Sequence, residues 1–474
     1  MTSLRFFGVV LIIAVLSGCA VDEVLRIRSL STQSNPFVAS EVGGAFDGLK
    51  PLTEHAGNTN IVFVHGIGWT QERGSTQFGD ELTQAVLRGY PGAIIRANKY
   101  TCGTSSLDGR REDNKDKRGL LLHASATSSL QSDDPNFSVS VSELGCLDRT
   151  IIDLPTGKTI TIYRLLWDDA MWNGAEWFHM GFDDPIPTVD GKKLGHEGYD
   201  DPDKLRAKLN SQLKNSIVTY GLTDAALYMS PVGKLMRDGV QATICIALSD
   251  SFEAALATGP TAKSTDLCEQ SPKARAPLIL MSHSLGSRVV FDTLISDLSP
   301  TLSARIAEGT SNNNIELHMF ANQIPLIGVG RLGEKRTSRS ISGKFIKVVA
   351  YSEINDLLTY ELVPYFEQMY YVRCYGAKAA DPNCKAAPDA EWTKRSKSFF
   401  RDFEARRQLV SDLGFDVIDV RLQFAPNEIA IYSGLKSPAI AHSGHMKSDS
   451  VVSLFLCGVE SGKPRMPMST CLSK

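Results

Sequence analysis

The stretch LILMSHSLGSRVVFDTL, residues 278–294, contains a sharp change of pattern near the middle of the chain. Its apolar run is typical of a buried strand, and the apolar spacing that resumes after Gly286 is typical of a helix. Between them stands Ser-His-Ser-Leu-Gly. A serine between small neighbours at a strand-to-helix corner matches the pattern Gly-x-Ser-x-Gly, in which small neighbours avoid clashes and the hydroxyl is exposed above the sheet. Ser282 replaces the first glycine, and Ser284 is the candidate nucleophile; the alternative is a loop serine beside a helix cap.

A second motif, IVFVHGIGWT at residues 61–70, places His-Gly-Ile-Gly directly after another apolar strand. Such a turn lets a backbone N–H point at an oxygen that gains negative charge during a reaction, and losing one such donor costs about 3–4 kcal/mol. The candidate donors are the N–H of Ile67 and the N–H of Leu285, which lies at the positive start of the helix after Ser284. Trp69 is a candidate for substrate contact. The alternative for His-Gly is an ordinary tight turn.

Other apolar runs predict further buried strands, so that the predicted set is 61–64, 160–166, 278–281, 317–320, 345–350 and 417–422. Helical spacing lies between them: one helix is predicted over 205–217, and another from about 233 through 256. This alternation predicts an α/β fold with a mostly parallel sheet and helices on both faces. In such sheets a ligand site lies beyond the carboxyl ends of the strands, where Ser284 would be.

Taken together, these motifs resemble the α/β-hydrolase superfamily, the fold of serine esterases and lipases, over about residues 58–458. The resemblance implies catalytic residues in the chain order serine, acid, histidine. The acid is expected just after the strand 345–350. There NDLL, residues 355–358, is similar to the acid loop of several members and favours Asp356, with Glu353 in reserve. Either carboxylate could instead cap the next helix.

The catalytic histidine is expected on a loop after the last strand. HSG at residues 442–444, followed by an acidic helix start, is similar to the family's histidine loop. His442 is therefore the candidate base, and His445 is the reserve. A metal site on these two histidines would lack carboxylate or cysteine ligands at a suitable spacing, so neither a metal nor a cofactor is expected.

The amino terminus, MTSLRFFGVVLIIAVLSGCA, has the layout of a secretory signal, with one basic residue and an apolar run too short to span a bilayer comfortably. LSGC at residues 16–19 resembles the lipobox of bacterial lipoproteins. That resemblance implies removal of residues 1–18 and acylation of Cys19, and Ala20 after the cysteine implies the outer membrane in a Gram-negative envelope. An ordinary signal peptide or an uncleaved anchor are the alternatives. Residues 19–57 are predicted to form a polar, irregular tether.

The remaining chain, residues 58–474, is predicted to be one hydrolase domain with insertions near 100–147, 168–232 and 375–400. Trp167 directly precedes the second insertion, and Trp172 and Trp177 lie within it. The two hypotheses for these residues are a lid or acyl-binding wall, and ordinary core packing. The chain has 50 basic and 53 acidic residues and a net charge of −3, a balance that argues against nucleic-acid binding.

Eight cysteines remain besides Cys19, and an even number in an exported chain predicts disulfides. Connectivity is not fixed by sequence. Neighbours in chain order give the expected pairs Cys102–Cys146, Cys245–Cys268, Cys374–Cys384 and Cys457–Cys471.

The expected function is that of a lipid-anchored serine hydrolase that cleaves carboxylic esters, with lipid esters among the candidate substrates. The membrane partner would be reached through acylated Cys19. One alternative is an acyltransferase that uses the same three residues to pass the acyl group to an alcohol. Another is a non-catalytic lipoprotein that keeps the fold as a binding scaffold.

Overall fold

The computed structural model describes residues 22–30, 44–66, 74–96, 102, 119–131, 138–167, 188–189, 192–193, 223–230, 232–258, 277–295, 298–309, 315–328, 346–375, 415–429 and 432–472. The strands are Glu23–Leu30 (β1), Thr59–Val64 (β2), Ile94–Ile95 (β3), Leu120–Gln131 (β4), Ser138–Asp153 (β5), Thr159–Leu166 (β6), Thr188–Val189 (β7), Lys192–Lys193 (β8), Leu278–His283 (β9), Ile315–Phe320 (β10), Ile346–Glu353 (β11), Phe415–Gln423 (β12), Asn427–Ile429 (β13), Tyr432–Lys436 (β14), Val459–Glu460 (β15) and Lys463–Pro464 (β16).

The α-helices are Leu49–Ala56 (α1), Gly74–Gly89 (α2), Thr223–Met229 (α3), Val232–Ser249 (α4), Phe252–Thr258 (α5), Leu285–Ile295 (α6), Pro300–Gly309 (α7), Ile324–Gly328 (α8), Leu362–Tyr375 (α9), Pro438–Ser443 (α10), Asp449–Cys457 (α11) and Met468–Cys471 (α12). A 3₁₀ turn, His445–Lys447, lies between α10 and α11. None of these helices is both long enough and apolar enough to cross a bilayer.

The central sheet has the strand order β1-β12-β11-β10-β9-β2-β6-β5-β3, with β4 paired to β5. The six strands from β12 to β6 run parallel. The outer strands β1, β5, β3 and β4 join antiparallel. The chain therefore has an α/β fold with a mixed, mostly parallel sheet. The predicted strands all fall within this sheet.

Helices cover both faces of the sheet, as the alternation of side chains along β2 illustrates. Ile61 and Phe63 pack into one core with α1, α2 and α11, whereas Val62 and Val64 pack into the other with α4, α6 and α9. All four side chains are buried. A strand that is buried on both faces has to be apolar at every position, which is why the run is continuous rather than alternating.

Part of the predicted insertion at 100–147 belongs to the central sheet. β4 and β5 form a long antiparallel hairpin that extends the sheet beyond β6. In β4 the buried residues Leu120 and Leu122 alternate with Leu121, which is only partly buried, as in a strand with one face in the core. Because this region is rich in serine and charged residues, the sequence indicated an insertion there instead of strands.

The predicted tether also contains ordered elements, which corrects the expectation for residues 19–57. β1 pairs along the edge strand β12, and α1 precedes β2. β1 looks polar in sequence because it is an edge strand: Ile27 and Leu30 are buried, while Arg26 is partly exposed and forms an ion pair with Glu361.

The helix predicted over 233–256 is two helices, α4 and α5. The break lies at Asp250, whose φ of 48° cannot continue a right-handed helix. The helix predicted over 205–217 lies outside the described residues, as do most of the predicted insertions at 168–232 and 375–400.

Two of the expected disulfides are present, Cys102–Cys146 and Cys457–Cys471. Cys245 in α4 is also disulfide-bonded. Its expected partner Cys268 lies outside the described residues, and so does the expected pair of Cys374, namely Cys384. The 457–471 bond ties the carboxyl-terminal helix α12 to α11, one of the helices that cover the sheet.

Candidate active site

Ser284 lies at the corner between β9 and α6 and has a backbone φ of 53°. A positive φ at a residue other than glycine is uncommon and costs on the order of 1 kcal/mol or more. Two backbone hydrogen bonds hold this conformation. The Ser284 N–H donates to the Phe320 carbonyl at 2.9 Å, and the Ser287 N–H donates to the Ser284 carbonyl at 3.0 Å. The corner places the serine at the carboxyl edge of the parallel strands.

Glycines are required where the end of β2 meets the corner between β9 and α6, which we call the elbow. A Cβ at Gly286 would lie 2.3 Å from the carbonyl oxygen of His65 and 2.5 Å from that of Val64. A Cβ at Gly66 would lie 2.4 Å from the Cβ of Ser284. The end of β2 and the start of α6 are therefore in backbone contact around the serine.

Ser282 occupies the place of the motif's first glycine without conflict. The residue is fully buried in β9, and its hydroxyl donates to Ser287 Oγ at 3.2 Å. A buried hydroxyl with a partner avoids the cost of an unsatisfied polar group. The departure from glycine is therefore compatible with the elbow.

The structure brings Ser284, His442 and Asp356 together in one hydrogen-bonded line. His442 Nε2 lies 2.9 Å from Ser284 Oγ, and His442 Nδ1 lies 2.9 Å from Asp356 Oδ2. The three residues come from the ends of different elements, β9, the loop after β11, and α10. With Nδ1 donating to the carboxylate, Nε2 is free to accept the serine proton.

Asp356 is buried, and its carboxylate accepts several hydrogen bonds. Oδ1 accepts the Leu358 N–H at 2.9 Å, and Oδ2 accepts the Thr359 hydroxyl as well as His442. Burial acts to raise the pKa of Asp356, but the hydrogen bond and charge of His442, with the other donors, outweigh it and lower the pKa below its ordinary value. The carboxylate is therefore held in the ionised form that can orient and stabilise a protonated imidazole.

His283, the residue before Ser284, contacts both the backbone and the ring of His442. Its Nε2 donates to the His442 carbonyl at 2.9 Å, and the two rings meet edge to face at 5.1 Å. Burial, with the neighbouring His442 charge, lowers the pKa of His283 to about 3. His283 therefore stays neutral and can act as a fixed donor. Its contact with His442 was not predicted from the sequence.

Glu353, the reserve acid, has a different task. Its carboxylate accepts the side-chain amide of Asn355 at 2.9 Å and the backbone N–H groups of Phe424 and Ala425 at 3.3 Å. These bonds tie the start of the acid loop to the chain beyond β12. The structure places Asp356, and not Glu353, against His442.

His445, the reserve base, is fully buried below the site. The rings of Phe424 and Phe320 pack edge-on against it at 5.1 and 5.8 Å. Burial lowers the pKa of His445 to about 4, so the ring is neutral at physiological pH. His442, and not His445, bridges Ser284 and Asp356.

A fourth side chain, which was not predicted from the sequence, contacts Ser284. Gln323 is buried in the turn after β10, and its Nε2 donates to Ser284 Oγ at 2.9 Å. Along the sheet edge β10 lies on one side of β9 and β2 lies on the other, so Gln323 and Gly66 flank the serine from opposite sides. The available signal was a polar pair, Asn322-Gln323, one residue after the end of a buried strand.

The turn after β2, which carries one of the two predicted oxyanion donors, lies only partly within the described residues. Leu285 is the first residue of α6, where N–H groups have no acceptor within the helix. Ile67 and Trp69 lie outside the described residues. Trp167 packs against the start of this turn. Its Nε1 donates to the His65 carbonyl at 3.0 Å, and its ring stacks on that of His65 with 4.7 Å between the ring centroids. Trp167 is thus a buried packing residue, and Trp172 and Trp177 lie outside the described part of the chain.

Exposed apolar side chains lie on the same segments as the site residues. Leu357 and Tyr360 on the acid loop are 70% and 49% exposed. The set that we name the apolar rim is Leu326, Ile354, Leu357, Tyr360 and Ile440. Each belongs to a segment that also carries Gln323, Asp356 or His442. Single exposed apolar residues are ordinary, but a group at one site indicates a contact surface.

Across the described ranges, no group of three or more histidine, cysteine, aspartate or glutamate side chains is arranged to hold a metal ion. Comparison of the chain with protein-family models, with curated proteins and with solved structures gave no match.

Proposed function

We propose that this protein is a serine hydrolase that cleaves carboxylic esters through an acyl-enzyme on Ser284. The observation that carries the proposal is the line from Ser284 Oγ through His442 to buried Asp356, with both hydrogen bonds at 2.9 Å. The left-handed backbone of Ser284 adds support, because strained serines of this kind serve as nucleophiles at strand-to-helix corners. The same features favour membership of the α/β-hydrolase superfamily.

In the first half of the reaction Ser284 Oγ attacks the acyl carbonyl carbon. Its proton passes to His442 Nε2, and the carbonyl oxygen becomes an oxyanion, for which the N–H of Leu285 and the sequence-predicted N–H of Ile67 are the proposed donors. Asp356 stabilises the imidazolium that forms. When the tetrahedral intermediate collapses, His442 gives the proton to the departing alcohol, which leaves an ester between Ser284 and the acyl group.

The second half uses water in place of the alcohol. His442 takes a proton from the water as its oxygen attacks the acyl carbonyl, and then returns that proton to Ser284 Oγ as the carboxylic acid leaves. Gln323 Nε2 donates to the oxygen that gains negative charge in this departure. The products are one alcohol and one carboxylic acid, and the enzyme is restored.

The apolar rim favours substrates with an apolar portion. An acyl chain or an apolar alcohol that covered Leu357 and Tyr360 would remove apolar surface of the substrate and of these side chains from water. This burial would stabilise the complex by about 25 cal/mol per Å² of apolar surface. Lipid esters fit this description, and so do smaller aromatic or alkyl esters.

We also propose that Cys19 is acylated and that the protein is anchored in a bacterial envelope, with the outer membrane as the expected location. The support is the sequence LSGC after an apolar run. Metabolic labelling with a fatty-acid analogue tests this: the wild-type chain should incorporate the label, and Cys19→Ser should not.

The test of the hydrolase is turnover of p-nitrophenyl esters, from acetate to palmitate, by the full chain in detergent. Ser284→Ala and His442→Ala should abolish turnover, and a fluorophosphonate should label the wild-type protein but not Ser284→Ala. Ser249→Ala in α4 and His55→Ala in α1 make the same chemical changes far from the site and should retain full activity.

A folded wild-type protein that neither turns over any ester nor reacts with the fluorophosphonate would overturn the hydrolase and leave a binding scaffold. Formation of a new ester when an alcohol is added would assign acyl transfer instead of hydrolysis.

A further inference from the structure

The described chain begins beside the catalytic loops. Asp22 accepts the Ser448 hydroxyl on its carboxylate at 2.8 Å and the Ser450 hydroxyl on its backbone carbonyl at 3.2 Å. Ser448 caps α11, directly after the turn that follows His442. The start of β1 therefore lies at the edge of the sheet that carries Ser284.

Strand register gives the same placement independently. β1 runs antiparallel to β12, and Glu23 pairs with Gln423, the last residue of β12. The last residues of parallel strands define the carboxyl edge, where the site is. Arg26 in β1 then reaches Glu361, the neighbour of the rim residue Tyr360, with bonds of 2.8 and 2.9 Å.

Residues 1–21, which precede Asp22, are mostly apolar. Two residues, Ala20 and Val21, separate Cys19 from Asp22, and the three Cα–Cα steps reach at most about 11 Å at full extension. An acyl group on Cys19, or an uncleaved apolar run over 6–16, would thus enter a bilayer close to Asp22. A tether of this length would hold the carboxyl edge of the sheet near the lipid.

The surface at that edge suits the contact. Five of the ten large apolar side chains that are exposed in the described residues belong to the apolar rim. Two ion pairs lie nearby: Arg26 with Glu361, and Lys447 with Glu81 at 3.0 Å. Unpaired charges are costly to bring to an apolar phase, whereas pairs and apolar side chains are less so.

We propose that the apolar rim is a membrane-contact surface, and that the protein lies with its catalytic edge against the bilayer. The inference rests on the proposed anchoring of the amino terminus. It does not depend on whether Ser284 is reactive. A substrate would then enter the site from the lipid side.

The experiment places a coumarin-bearing amino acid at a rim position in the full chain. The chain is reconstituted in vesicles of phosphatidylethanolamine and phosphatidylglycerol that contain doxyl-labelled lipid. One variant replaces Leu357, a second replaces Ile440, and the control replaces Ile94. Ile94 is 68% exposed in β3, at the opposite side of the sheet from β1. Flotation and a thermal unfolding curve show that each variant is bound and folded.

Quenching at Leu357 and Ile440 several times that at Ile94 is the expected result. Equal quenching at all three positions, or none at the rim, would overturn the membrane-contact surface, including the case in which another part of the chain covers it. Failure to float with the vesicles would overturn the anchoring on which the inference rests. Ester turnover, measured separately, tells either failure apart from a failure of the hydrolase.

Discussion

Gly286→Ala should damage catalysis although it alters none of the three proposed catalytic side chains chemically. The new methyl would lie 2.3 Å from the His65 carbonyl oxygen and 2.5 Å from that of Val64, and both atoms are backbone. Ordinary contacts are about 1 Å longer than this, so α6 and β2 must separate by that amount. Ser284 stands between them and moves with α6.

The expected loss follows from the hydrogen bond to the base. A displacement of about 1 Å would stretch the 2.9 Å contact between Ser284 Oγ and His442 Nε2 beyond hydrogen-bond range. Misplacement on this scale costs about 10²-fold in rate, and overpacking costs about 1–3 kcal/mol of stability. The matched variant is Ser282→Ala, which flanks the same serine and removes one hydrogen bond without adding atoms.

The assay is kcat/KM on the p-nitrophenyl ester that wild type hydrolyses fastest, with the rate of fluorophosphonate labelling as a second readout. Thermal unfolding gives the folded fraction. Gly286→Ala should lose about 10²-fold in both rates, and Ser282→Ala should lose less than tenfold. If folded Gly286→Ala keeps a rate within threefold of wild type, the close packing of β2 against the elbow does not position the nucleophile, and the reasoning is refuted.

Asp356→Asn should lower kcat by about 10⁴-fold, because an amide holds the imidazole in the wrong tautomer. Gln323→Met should lower kcat about tenfold and leave KM little changed. The reason is the loss of one hydrogen bond to Ser284 Oγ, which contributes about 1.5 kcal/mol. Replacing Cys457 and Cys471 together by serine should lower the free energy of unfolding by about 3 kcal/mol, as expected for a short closed loop, and urea titration measures it.

Each of these has its own contrary result. A drop of only a few-fold in Asp356→Asn would return the acid role to Glu353. Gln84→Met, the same change on an exposed face of α2, is the control for Gln323, and equal activities in the two variants would remove Gln323 from the site. An unchanged urea midpoint in the double serine variant would mean that the disulfide between α11 and α12 adds nothing to the stability of the fold.

The lowered pKa of Asp356 also predicts how stability depends on pH. A carboxylate whose pKa is lower in the folded state stabilises the fold above its ordinary value of 3.8, and that contribution is lost as the pH falls through the folded value. The free energy of unfolding of Asp356→Asn should therefore fall less steeply than that of wild type on acidification. Parallel curves for the two proteins would contradict the lowered pKa.

Central strands could be predicted from the sequence because strands that are buried on both faces are apolar at every position. The run at 61–64 is an example. Edge strands have one face or one side in water, so β1 and β4 carry polar and charged residues and resemble loops in composition. Pairing with β12 or β5, which is a long-range property, determines their structure.

Site residues divide in the same way. Ser284 is marked by its neighbours in the chain, because a strained corner restricts the residues on either side. Gln323 and His283 have no such local mark. Their roles arise where strand order brings the end of β10 beside the end of β9, and where the histidine loop folds back over the elbow.

The bond from His283 to the His442 carbonyl has a consequence for how the protein could vary. The proposed nucleophile Ser284 and the proposed base His442 are 158 positions apart in the chain, yet His283, next to Ser284, fixes the backbone of His442 directly. Their separation is therefore insensitive to the length of the intervening chain. Segments inserted between α6 and α10 could grow, shrink or be exchanged, with the reacting pair keeping its spacing so long as position 283 carries a ring N–H donor.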